Sequence, residues 1–416
     1  VAVNALVVTV GVVLGADEHD LAALAHVLTG AGLAVTGRFA ADDDESALER
    51  ALTMGADVTV VVSGSGSSAG DVVRRAVARA TGTRLVLNDR ALDALTETYH
   101  RRDRPLPRRA ERLALVPQGA VLWLSPGSEP AWMLETGGRL VVVVPRGADL
   151  AGIVGQHLPP VLAARAGESV LTRTLRTAGV SIVDVEERLA EQTARADDGA
   201  TVTVLPAGSG DFEVWVRIVA RGPGAAETLA ALEREVAGLL GEDCYGRDDE
   251  TLERVVGRLL RERALTLSVA ESCTSGLLGH RLTDVAGSSA YFERGVLVYS
   301  NQAKQDLLGV PEAILRVHGA VSAPCAEAMA RGICARSGNP VGLAVTGIAG
   351  PDGGTPTKPV GTVFIGVAVA GDVETRRFRF AGDRSAVKWQ STQMALDMLR
   401  RRLLRLPAGS AGVGAP

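Results

Sequence analysis

Thr266-Leu-Ser-Val-Ala270 leads into Glu271-Ser-Cys-Thr-Ser-Gly276 and on into Leu277-Leu-Gly-His-Arg-Leu-Thr283. The first run reads as a buried strand, the last as a helix, and the small polar residues between them as a turn. A serine on such a turn stands at a helix N-terminus, where unpaired N–H groups and the positive dipole end favour an anion or a developing oxyanion. The same residue types make an ordinary Ser/Thr helix cap, so the turn alone leaves both readings open.

Outward from it, Gly295-Val-Leu-Val-Tyr-Ser-Asn301 reads as a strand ending in a cap, which puts Lys304 in the first turn of the next helix. Of 44 basic residues only Lys304, Lys358 and Lys388 are lysine. Arginine serves wherever a fixed positive charge suffices, but it cannot act as a neutral amine base. A lysine kept in such a chain therefore invites a chemical reading, although arginine bias with three chance survivors is the plain alternative. Burial and the positive helix end both lower a lysine's pKa, and Tyr299 is expected beside it. A serine with a deprotonatable lysine is one way to make a nucleophile without histidine.

A further strand, Gly342-Leu-Ala-Val-Thr346, feeds the glycine-rich Gly347-Ile-Ala-Gly-Pro-Asp-Gly-Gly354, and Lys358-Pro-Val-Gly361 precedes a strand over Thr362–Val369. Glycines after a strand let backbone N–H groups approach a ligand at the carboxyl edge of an open α/β sheet, and they also simply make loops. Phe380-Ala-Gly-Asp-Arg384 precedes the final helix and offers Arg384 as a clamp for phosphate or carboxylate, or as a surface charge.

N-terminal to this region the pattern predicts a layered α/β domain over 1–165 with a largely parallel sheet: strands at Ala5–Val10, Val58–Val62 and Leu140–Pro145, a helix over His19–Ala31, and a loop at Ser63–Gly70. Pro159-Pro160 marks its expected end. A small α+β connector over 171–245 is expected to hold a helix through Val185–Leu189, strands at Thr201–Leu205 and Glu213–Val219, and a helix over Ala225–Leu240. The third domain spans 250–406, and 407–416 reads as a disordered tail.

The formal charge of -4 argues against a broad basic surface, and the connector carries 13 acidic residues against 7 arginines and no lysine, so direct nucleic-acid binding is not expected. The four cysteines form no Cys-x-x-Cys pair and no metal-ligand spacing with histidine, a usage that suits a reducing cytoplasm. The apolar opening Val1–Gly15 has no basic n-region and is too short to span a bilayer, so it reads as a buried first strand, and no membrane association is expected.

Taken in order, Ala270-Glu-Ser-Cys-Thr-x-Gly276, Ala286-Gly-Ser-Ser-Ala-Tyr-Phe292, Tyr299-Ser-Asn-x-Ala-Lys304, His318-Gly-Ala-Val-Ser322, Thr346-Gly-Ile-Ala-Gly-Pro-Asp-Gly-Gly354 and Lys358-Pro-Val-Gly-Thr362 closely resemble the C-terminal domain of the CinA (competence/damage-inducible) family, also found alone as nicotinamide-nucleotide amidase. The resemblance implies an α/β/α amidase domain that deamidates nicotinamide mononucleotide, a small pyridine mononucleotide, to nicotinate mononucleotide and ammonia in pyridine nucleotide salvage. It implies Ser272 as nucleophile and Lys304 as general base, with Tyr299, Thr274 and Thr346 in the site; Tyr299 is expected in the catalytic set, and Thr274, Ser275, Gly276, Thr346, Gly347, Gly350 and Arg384 are expected to bind substrate. N–H groups around Thr274 to Gly276 would hold the oxyanion, and Cys273 is the rival nucleophile. It implies no metal, no cofactor and a homodimer. Ser275 departs from the family's glycine.

The connector resembles the family's KH-like module, and the first domain more faintly its molybdopterin-binding-like domain, which is associated with ADP-ribose pyrophosphatase activity. That domain's motifs are eroded: Gly11-Val-Val-Leu-Gly15 lacks the family's carboxylate, Gly64-Ser-Gly-Ser-Ser-Ala-Gly-Asp71 keeps only Asp71, and Pro145-Arg-Gly-Ala148 replaces a Pro-Gly-x-Pro loop. Loss of carboxylates removes ligands for a hard divalent cation, so the pyrophosphatase is not carried over. Two other readings stay open: a non-catalytic nucleotide sensor or scaffold in competence or DNA-damage responses, and an enzyme with both activities.

Overall fold

The computed structural model describes residues 3–10, 21, 24–25, 27–29, 31–41, 44–63, 67–101, 103–124, 129–145, 150–165, 170–195, 199–207, 212–248 and 250–406. The chain divides into two compact units, 1–172 with 219–227, and 173–218 with 228–416.

The first unit is built on a six-stranded sheet. Its strands run in the order Ala34–Ala41, Asn4–Val10, Val58–Ser63, Arg139–Pro145, Ala131–Thr136, Val121–Trp123. The first four are parallel, and each of the last two is antiparallel to the strand before it in that order. Val58, Val60 and Val62 pack into one core while Val61 packs into another on the opposite face. A strand covered on both faces is largely apolar along its length, which is why these segments read as near-continuous hydrophobic runs. The opening segment is such a strand.

Two expectations need correction here. Ser63 ends a strand and residues 67–70 belong to the helix Ser67–Ala80 rather than to the expected loop, while 64–66 lie outside the described residues. Pro159-Pro160 does not end the domain but lies inside the helix Leu150–Arg165. Ile153, Val154, Leu158 and Leu162 of that helix are buried in the core, and their packing outweighs the backbone hydrogen bonds that the prolines remove. The Gly11–Gly15 and Arg146–Ala148 readings, and much of the His19–Ala31 helix, lie outside the described residues.

The connector contains the helix Ile182–Arg188, the strands Ala200–Pro206 and Glu213–Arg221 and the helix Ala225–Leu240 where they were expected. It also has two strands that were not foreseen, Val170–Ala178 and Cys244–Arg247, which pair antiparallel and complete a four-stranded sheet. Within the second unit the connector is fixed to the final helix, Arg384–Leu404. Buried Asp397 holds Arg400 and Arg401, and Arg401 reaches Asp243 at 2.8 Å and the Ala178 carbonyl at 3.1 Å.

The third domain is built on a five-stranded sheet, ordered Phe292–Leu297, Leu267–Glu271, Val341–Gly347, Thr362–Val369, Asp372–Arg379. The first three strands are parallel and the last two antiparallel to their neighbours. Leu252–Glu262 and Arg384–Leu404 pack on one face through Val256, Leu260, Ala395 and Leu399. Ala323–Ser337 packs on the other through Met329, Ala330 and Ile333. The result is an α/β/α sandwich whose parallel strands bring residues 271–276, 298–304 and 346–350 to one sheet edge.

Candidate active site

Ser272 follows the strand Leu267–Glu271 directly. Its N–H donates to the Val345 carbonyl at 3.0 Å, and the Val298 N–H donates to the Glu271 carbonyl at 2.8 Å. The serine is thus anchored between both neighbouring strand ends, and its side chain is largely buried.

Lys304 lies on the helix Asn301–Leu308, capped as expected by Ser300, whose hydroxyl accepts from the Ala303 N–H at 3.0 Å. Only 1% of this lysine is exposed. Its Nζ sits 3.1 Å from Ser272 Oγ, 2.7 Å from the Val298 carbonyl and 3.2 Å from the Tyr299 carbonyl. Burial holds its pKa below the ordinary lysine value of 10.5. Burial also pushes the nearby thiols of Cys273 and Cys325 up to about 12 and about 11, so neither supplies a counter-charge at neutral pH.

The geometry has a chemical consequence. Carbonyl oxygens only accept, so they occupy two of the amine's protons and leave one direction, toward Ser272 Oγ. In that direction an ammonium donates to the hydroxyl, whereas a neutral amine accepts from it. Ser272 is the one of the three partners with which Lys304 can exchange a proton.

Glu271, which the sequence reading passed over, organises the turn. Its buried carboxylate accepts from the N–H groups of Gly276 at 2.9 Å, Leu278 at 3.1 Å and Gly279 at 2.8 Å. The N-terminal donors of the helix Leu277–Thr283 are therefore occupied from within, and the Gly276 N–H is not free for an oxyanion. Thr274 and Ser275 keep N–H groups with no partner among the described residues. The Thr274 hydroxyl is fully buried and also unpartnered. Ser275 has φ of 51° and Gly276 φ of 93°, so two successive residues are left-handed. Ser275 occupies a conformation that favours glycine and donates its hydroxyl to the Ser272 carbonyl at 3.2 Å.

The other expected residues have mixed placements. Tyr299 meets Lys304 through its backbone carbonyl, while its ring is 68% exposed and makes no hydrogen bond with the lysine. Thr346 is buried at the end of its strand and donates its hydroxyl to the Ala320 carbonyl at 2.8 Å. Lys358 donates to the His318 carbonyl at 2.8 Å, so both hold the 318–322 segment. Gly347 is glycine because a Cβ there would lie 2.6 Å from Val363 and 2.9 Å from the Thr362 carbonyl. Arg384 donates to the Gly350 carbonyl at 2.8 Å and tethers the glycine loop to the final helix.

In the first unit the surviving Asp71 lies 3.1 Å from the buried Arg74 and 3.5 Å from Arg112. Guanidinium groups stand where a cation-binding site needs further acids. No helix among the described residues is long and apolar enough to cross a membrane.

The CinA C-terminal domain profile matches residues 249–403, and a profile described as "Probable molybdopterin binding domain" matches 7–222, through most of the connector. The chain is 42% identical over 399 residues to a CinA-like protein of Geobacter sulfurreducens, covering 93% of this chain and 95% of that one. It is 39% identical, with the same coverage of each, to a CinA-like protein of Geobacter metallireducens. A crystal structure of a CinA superfamily protein from Klebsiella pneumoniae aligns at 38% identity and a TM-score of 0.37, covering 37% of this chain and 97% of that one. With a curated relative matched over nearly its whole length and both domain profiles present in order, this chain belongs to the CinA family.

Proposed function

We propose that the second unit is a serine amidohydrolase that converts nicotinamide mononucleotide to nicotinate mononucleotide and ammonia. The observation that carries this reading is Lys304 Nζ at 3.1 Å from Ser272 Oγ, with its other two hydrogen-bonding directions closed by carbonyls. The neutral amine takes the Ser272 proton as Oγ forms a bond to the carboxamide carbon. The resulting oxyanion is received by the turn, where Thr274 and Ser275 hold the uncommitted N–H groups. Lys304 returns its proton to the departing nitrogen, ammonia leaves, and a nicotinoyl ester remains on Ser272. Water then attacks that ester, giving its proton to Lys304, and the serine leaves as the free hydroxyl.

Substrate choice rests on family likeness, since the CinA C-terminal domain is associated with nicotinamide-nucleotide amidase, whereas the Ser–Lys geometry suits acyl transfer in general. The test is ammonia release from nicotinamide mononucleotide without added metal. Ser272→Ala is expected to abolish release in a folded protein. Cys273→Ala should retain it, because that thiol is buried and its pKa stands at about 12. An active serine variant beside a dead cysteine variant would overturn the assignment.

A further inference from the structure

Two of the three lysines are committed: Lys304 to Ser272 and two carbonyls, Lys358 to the His318 carbonyl. Lys388 has no hydrogen-bond or ion-pair partner among the described residues. It lines a cleft of about 720 Å³ together with Leu277, Asp383, Ser385 and Trp389. That volume falls within the range of about 300 to 1,000 Å³ typical of small-molecule sites. The cleft adjoins the nucleophile turn, because Leu277 follows Gly276 directly. On the helix Arg384–Leu404, Lys388 stands one turn beyond Arg384, which is bonded to the glycine loop.

Trp389 is the unusual wall. It is 39% exposed, yet the Arg281 guanidinium lies 4.2 Å from its ring centroid. Arg281 is itself buried, and it is fixed by Glu253 at 2.7 Å, Gln393 at 2.6 Å and Thr392 at 2.8 Å. A ring covered on one side by a buried, immobile cation owes its exposure to its other side and its edge. The result is a rigid aromatic platform backed by positive charge. Such a platform repels a cationic pyridinium and favours a neutral, electron-rich ring.

We propose that this cleft is a second nucleotide site, binding an adenylate with its base stacked on the free side of Trp389 and its phosphate on Lys388. Asp383 caps the helix through one carboxylate oxygen and keeps the other for a ribose hydroxyl, as Ser385 keeps its own hydroxyl. The adenylate is either a free nucleotide or one half of a pyridine dinucleotide whose other half reaches the Ser272 turn.

The test is calorimetric titration of the full chain with AMP, a readout that requires no turnover and so stands even if the amidase reading fails. Saturable AMP binding is expected. It should weaken on the order of tenfold in Trp389→Ala, as loss of a base–aromatic stack implies, and be largely restored in Trp389→Phe. Lys388→Glu should weaken it further, and Lys388→Arg should recover it. Thermal melting of each variant separates lost binding from lost folding. AMP binding undisturbed by saturating nicotinamide mononucleotide identifies a free adenylate, and a pyridine dinucleotide that displaces both ligands identifies the tethered half. Failure of AMP to saturate the wild-type chain, or equal affinity in wild type, Trp389→Ala and Lys388→Glu, overturns the site.

Discussion

Each unit carries an acidic residue near a strand end, and the two are satisfied in opposite ways. Asp71, in the helix after Val58–Ser63, is met by the guanidinium groups of Arg74 and Arg112. Glu271, at the end of Leu267–Glu271, is met by three backbone N–H groups. The first arrangement cancels charge with charge, in an ion-pair cluster with Arg74 buried and Arg112 exposed. The second satisfies the carboxylate with backbone donors alone, and Lys304, at the same sheet edge, hydrogen-bonds only to two carbonyls and a serine hydroxyl among the described residues. The difference teaches where proton chemistry can persist: a lysine partnered by neutral groups can cycle between its two forms, whereas an acid clamped by arginines cannot give up its counter-ions to a metal.

The largest expected effect tests the lysine half of that contrast. Lys304→Arg should lose on the order of a hundredfold to ten-thousandfold in ammonia release, close to Lys304→Ala, because arginine keeps the charge but cannot take a proton. The wild-type rate should rise with pH and level off above a single pKa lying below 10.5, since burial depresses the lysine and its neutral form is the active one. Near-wild-type turnover in the arginine variant would reduce Lys304 to an electrostatic role. For the other half, no metal-dependent ADP-ribose hydrolysis is expected with magnesium, manganese or cobalt, because Asp71 is held by two arginines. Release of AMP that disappears in Asp71→Ala would show that those ion pairs open to admit a cation.

A smaller effect is expected at Glu271. Glu271→Gln presents an N–H-bearing end to at least one of the three donors that the carboxylate now accepts. The turn should loosen, with kcat falling about tenfold while the pH profile keeps the Lys304 limb. An unchanged kcat would mean that the three bonds stabilise the helix without positioning Ser272.

Much of this was legible in the sequence for identifiable reasons. Largely apolar runs such as Val58–Val62 and Gly342–Thr346 belong to strands buried on both faces, and Ser300 and Asp383 cap helices as their residue types suggest. The Ser272–Lys304 pairing was legible because Ser272 directly follows one strand and Lys304 lies in the first turn of the helix that follows its parallel neighbour. What escaped depends on side-chain direction and long-range pairing. Val170–Ala178 is a strand whose partner is Cys244–Arg247, about seventy residues away in sequence. Tyr299 turns its ring outward while lending its carbonyl, a choice that residue identity does not encode. Glu271 had one available signal, an acid just ahead of a helix start, where it can accept from the first-turn N–H groups.

The smallest effect concerns Ser275, and it asks whether the turn beside Glu271 holds strain that the Asp71 cluster has no need of. With φ of 51°, Ser275 holds a side chain in a left-handed conformation that costs about 1 to 2 kcal/mol for a residue with a Cβ. Ser275→Ala and Ser275→Gly both lose the hydroxyl bond to the Ser272 carbonyl, so comparing them cancels that term and isolates the backbone. Glycine relieves the strain but adds about 0.4 to 1 kcal/mol of unfolded-state entropy, leaving it ahead by roughly half to 1 kcal/mol. That margin corresponds to about 2 °C in melting temperature for a domain of this size. The expected order, glycine above alanine, reverses the usual ranking of the two residues. An alanine variant that melts higher would show that the neighbouring strand ends, rather than a strained turn, fix Ser272 in front of Lys304.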